Sequence, residues 1–179
     1  MAIEFITHKK LLSPNHNDTF IQLDDVFSSR HSAYQIHAKN FHNTGDTSSF
    51  SMLMSLIDAN GNLLSDSNYH YGQQYMRSNA DGRQTAGGST GQTNWVMAQG
   101  NYYDWNGHTR MIIHTPYESD RVTYHMTQSI GTTSEHYTWM RTGTYNNATR
   151  VTGFRVFCSG GASNDALFEA EITVYGLGK

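Results

Sequence analysis

The sequence predicts an all-β protein, a jelly-roll-like antiparallel β-sandwich in a single domain. Three observations predict it. Apolar residues recur with a period of two along several segments, and no window of about 11 residues carries the period of an amphipathic helix. Those segments are separated by Gly, Asn, Asp and Ser, the residues of turns. Charged residues make up 15% of the chain against roughly 25% in an average globular protein, while aromatics reach 12% and are spread throughout. The 179 residues suit one domain with a core of its own.

In chain order, Met1 to Asp18 precede the first alternating segment. They are apolar at Ile3, Phe5, Ile6, Leu11 and Leu12 but follow no strand pattern. Phe5 to Leu12 has room for a turn or two of helix, which Pro14 ends. Residues 1–18 are read as an N-terminal arm that docks onto a neighbouring subunit or shell, with residues 19–179 as the sandwich domain. Deleting the arm is expected to leave a folded domain. Tyr34, Ile36 and Ala38 then alternate with Gln35, His37 and Lys39. Phe50, Met52, Met54 and Leu56 alternate with a second row that is itself partly apolar at Leu53 and Ile57, the mark of a central strand. Arg77 to Gln92 has almost no apolar content and reads as a long surface loop. Met111 to His114, Val122 to Thr127, Tyr137 to Met140, Val151 to Cys158 and Phe168 to Tyr175 supply further short ribbons, for roughly eight to ten strands in all.

The stretch SLIDANGNLLSDSNYHY raises the question of a calcium loop, with Asp58, Asn60, Asn62 and Asp66 around Gly61. A helix–loop–helix calcium site needs Gly at its sixth position and a bidentate Glu at its twelfth. Here Gly61 is fourth and the twelfth residue is Tyr69. Asn-Gly between alternating segments is a hairpin signal instead. The ten histidines include His70, His108, His114, His125 and His136, none at the local spacing of a metal motif, so no metal and no cofactor are expected. One histidine repeated around a trimer axis would be the exception.

No catalytic residues are identified. GGSTGQT lacks the Gly-Lys-Ser/Thr ending of a phosphate loop, and no Gly-x-Ser-x-Gly elbow occurs. The carboxylate pairs Asp24–Asp25 and Glu169/Glu171 are not held across a cleft. Cys158, in an apolar run, reads as a small buried thiol. The net charge of −3, with no Lys/Arg run, argues against nucleic acid. No segment approaches the ~20 apolar residues of a membrane span. Tyr102, Tyr103, Trp105 and Asn106 stand in the turn-rich QGNYYDWNGH. Rings beside amides suit a ligand surface for sugar, a protein interface, or the ends of the sandwich core.

Several stretches together resemble small β-sandwich structural proteins of tailed bacteriophages, those of marine cyanophages in particular. They are AIEFITHKKLLS, FIQLDDVFSSRHSAYQIHAKN, the SMLMSLIDANGNLLSDSNYHY hairpin, HTRMIIHTPYESDRVTYHMTQS, and the closing VTGFRVFCSGG and EAEITVYGLGK. The resemblance implies a non-enzymatic virion protein on the particle exterior, capsid-decorating or tail- or fibre-associated. It implies a homotrimer, contacts with other virion proteins, and carbohydrate or receptor binding as an alternative role. MAIEFITHKK has no signal-peptide core, so the expected route outward is assembly in the host cytoplasm rather than secretion.

Overall fold

The computed structural model describes residues 3–11, 20–43, 50–77, 84–100, 106–118, 121–131, 136–159 and 168–178. These hold twelve strands and no helix: β1 (Ile3–Leu11), β2 (Phe20–Leu23), β3 (Ala33–Asn43), β4 (Phe50–Asp58), β5 (Tyr69–Arg77), β6 (Gln84–Gln92), β7 (Trp95–Gly100), β8 (Asn106–His114), β9 (Val122–Gly131), β10 (His136–Tyr145), β11 (Val151–Ser159) and β12 (Phe168–Leu177). They form two sheets, of order β1-β12-β3-β8-β9-β10-β5-β6 and β2-β11-β4-β7, with every neighbouring pair antiparallel.

The order is that of a jelly roll with additions. β2-β11-β4-β7 opposes β3-β8-β5-β6, the two four-stranded halves of a rolled-up ribbon. The hairpin β9–β10 is inserted between β8 and β5, and β12 and β1 extend the sheet beyond β3. Alternation explains the core between the layers. Tyr34, Ile36, Ala38, Met111, Ile113, Ile172 and Val174 point inward from the large sheet, and Ile21, Met52, Met54, Leu56, Met97, Phe154 and Val156 from the small one. β4 lies inside the small sheet and is buried from Met52 to Ile57 on both faces, as its doubly apolar pattern predicts.

Two sequence expectations change. Ile3–Leu11 is not an arm outside the strand pattern, nor a helical turn, but the edge strand β1, paired along its length with β12. A register shift between Phe5 and Thr7 scrambles its alternation, which is why the period is hard to read. Leu11 is buried, Ile6 packs against the core, and Leu12 lies outside the described residues. Arg77 to Gln92 is not a single loop either. Arg77 ends β5, and Gln84–Gln92 is the edge strand β6, paired with β5. Its residues from Ala86 on are mostly exposed, so an edge strand of Gly, Ser, Thr, Gln and one Ala carries no apolar row.

The Asp58 stretch is a turn. Asp58 Oδ1 accepts from the amides of Asn60 and Asn62, both at 2.8 Å, and its Oδ2 accepts from Asn62 Nδ2 at 3.1 Å. Gly61 has φ of +80°, and Leu63 bridges back to Ile57. These bonds, the Asn62 amide first, hold the Asp58 carboxyl below its usual range. Asp66 is committed to another corner, its Oδ2 accepting from Asn68 Nδ2, the Tyr145 hydroxyl and Asn147 Nδ2 at 2.6, 3.1 and 3.1 Å. The carboxylates that suggested calcium are used by the framework.

Candidate ligand-binding face

The inserted hairpin widens the large sheet, and the small sheet does not match it. β7 packs across β5, β8 and β9, with Trp95 against Tyr69 and Tyr124 and the Met97 carbonyl accepting from Thr109 Oγ1. The side chains of β5 and β10 therefore run outward from the core in register. Tyr69 faces Tyr145, Tyr71 faces Gly143, Gln73 faces Arg141, Tyr75 faces Trp139 and Arg77 faces Tyr137. The first pair is core: Tyr69 lies 4.7 Å from Tyr145 and 5.4 Å from Trp95 between ring centroids, and all three are fully buried. Tyr69 also ties the layers together. Its hydroxyl accepts from the Leu56 amide at 2.9 Å and donates to the Leu64 carbonyl at 2.8 Å.

Further out the chemistry changes. Arg141 is 1% exposed, a cation between sheets. Its Nε donates to Gln73 Oε1 at 2.9 Å and its Nη1 to Gln128 Oε1 at 3.1 Å, and its guanidinium lies 4.5 Å from the Trp139 ring centroid. Burial lowers its pKa to about 10, so it stays charged at neutral pH. The next tier is half-buried: Tyr75 and Trp139 have centroids 4.5 Å apart and planes 32° apart, and Arg77 sits 5.3 Å from the Tyr137 ring. The two rings stack at a tilt on one another, and a guanidinium and two amides behind them set directed hydrogen-bonding groups beside an aromatic surface.

Of the sequence-predicted ligand residues, Tyr102, Tyr103 and Trp105 lie outside the described residues. Asn106 opens β8 opposite Gly131. Tyr75, Trp139, Arg141, Gln73 and Gln128 were not singled out as one face. The signal that finds them is period-two spacing: Tyr71, Gln73, Tyr75 and Arg77 share one face of β5, and Tyr137, Trp139 and Arg141 the same face of β10. Among the histidines, His114 meets His125 and His37 meets His108 on the opposite, outer face of the large sheet. No group of three or more His, Cys, Asp or Glu able to hold a metal occurs among the described residues. Cys158 is half-buried, and burial pushes its thiol up to about 12, which suits a packing residue rather than a nucleophile. Of the two carboxylate pairs in the sequence, Glu171 pairs with Lys10 at 2.8 Å, and Asp24 accepts from Gln22 at 2.8 Å. No protein-family model matches the chain, and no curated protein matches it significantly.

Proposed function

We propose that the chain is a non-enzymatic structural protein of the exterior of a tailed-phage particle that holds surface glycan on its Tyr75–Trp139 face. The virion half rests on the sequence resemblance, for which an all-β sandwich is a suitable body. It assembles as a symmetric oligomer, a homotrimer, through the β1 edge, where Ile3 and Phe5 are 64% and 60% exposed. The ligand half rests on one observation: a half-buried tyrosine and tryptophan lie 4.5 Å apart beside the buried Arg141 fork. A sugar ring offers an apolar face to such rings and hydroxyls to guanidinium and amide groups.

A panel of bacterial surface glycans, assayed for retention and for cleavage, tests the ligand half. Retention without turnover is expected, and cleavage would replace the reading with that of a glycosidase. Mass spectrometry of purified particles tests the virion half, and absence of the chain from them would overturn it.

A further inference from the structure

We infer that His114 and His125 form a two-ligand site for a divalent transition-metal ion on the outer face of the large sheet. The inference is independent of the glycan reading. β8 and β9 are neighbours in register, with His114 opposite Thr123 and Ile112 opposite His125, so the two histidines are diagonal partners on one face. His114 Nε2 and His125 Nδ1 stand 3.3 Å apart. Two imidazole nitrogens bound to one zinc at about 2.0–2.1 Å with tetrahedral angles are themselves about 3.3–3.4 Å apart. The pair already has the bite of a chelate, and it is fixed by a hydrogen-bonded strand pair rather than by loops.

The surroundings favour a cation at this point over the other histidine pair. His37 and His108 have Lys39 and Arg110 around them. At His114, the Arg110 guanidinium of the same strand is turned away to β3, where its Nε and Nη2 donate to Gln35 Oε1 at 3.0 and 2.7 Å. Both rings reach solvent. Thr123 also lines a shallow concavity of about 450 Å³ with His70, Thr142 and Thr144, where Gly72 leaves the sheet bare. Water completes the coordination. Imidazole ligands and only two of them select ions late in the first row: copper most tightly, then nickel and zinc.

Calorimetric titration of the untagged full chain with Zn²⁺, Ni²⁺ and Cu²⁺ tests the site. One ion per chain is expected, with affinity falling about tenfold or more in His114→Gln and in His125→Gln. His37→Gln is expected to bind as the unmodified chain does. Circular dichroism and metal-free melting of each variant separate loss of ligand from loss of fold. A chain that takes up no metal, or variants that bind undiminished, would show that the two rings share only a hydrogen bond and would overturn the inference.

Discussion

Gly143 lies directly beneath the ring of Tyr124. A Cβ at Gly143 would collide with the His70 carbonyl and with Cε1 and Cζ of that ring. The bare position in β10 is what lets the tyrosine of β9 lie flat between the sheets and cover the step from the Trp95 core to the Arg141 tier. Gly143→Ala is expected to cost about 1–3 kcal/mol, measured by urea denaturation. A change within about 0.5 kcal/mol would mean that the β9–β10–β5 register is different.

Arg141 is the buried hinge of the candidate face. Arg141→Ala removes the donors to Gln73 and Gln128 and opens a cavity under Trp139. The expected loss is about 3 kcal/mol. Arg141→Met keeps most of the volume and is expected to lose less, while still losing any ligand contact made through the guanidinium. Equal losses for the two variants would assign the whole effect to the hydrogen bonds.

Burial raises the pKa of Tyr69, Tyr124 and Tyr145, the last to about 12. The folded chain therefore keeps these phenol protons more tightly than the unfolded chain, where tyrosine titrates near 10. Their contribution to stability is complete below about pH 10 and is lost as the pH rises toward and through the folded values. Denaturant midpoints are expected to be level just below pH 10 and to fall above it. Tyr69→Phe should cost about 1–2 kcal/mol at neutral pH, because Leu56 N–H and Leu64 C=O lose their partner, and should flatten the alkaline decline.

The outer-face histidines act in the opposite direction. Burial first, then neighbouring positive charge, lowers the pKa of His37, His108 and His114. The folded state disfavours their protonated forms, so their contribution is present above about 6.5 and is lost as pH falls through the lower folded values. Melting temperature is expected to drop on acidification from pH about 7.5 to about 5. His37→Gln, which relieves the crowding with His108, Arg110 and Lys39, should reduce that drop. A profile flat across this window would remove the histidines from the stability account.

Self-association at β1 predicts that Ile3→Lys with Phe5→Lys yields monomers in sedimentation velocity. Phe5 makes an edge contact with Tyr175 at 6.1 Å, so a modest loss of stability, about 1 kcal/mol, accompanies it. An unchanged oligomer would place the interface elsewhere. Deleting residues 1–18 is a poorer test, because it strips an edge strand from β12 as well as the exposed rings.

The sandwich was legible because its central strands are regular. Tyr34-Ile36-Ala38 and Ile172-Val174 alternate cleanly and are buried on one face, as read. β1 was hidden by its register shift and β6 by having no apolar row at all. The candidate face was half legible. Each strand carries its aromatic–cationic row in plain alternation, but the neighbourhood of β5 and β10 depends on an inserted hairpin, and sequence order places β5 far from β10. The Gln–Arg forks were invisible for the same reason. Arg141 and Gln73 are 68 residues apart.

The claim on which the account turns is that Tyr75 and Trp139 form the ligand platform. Glycan binding by the unmodified chain, Tyr75→Ala and Trp139→Ala, measured side by side on folded protein, tests it most directly. The account predicts binding that weakens about tenfold or more in each variant. Undiminished binding by both variants, or an unmodified chain that retains no glycan, would contradict it.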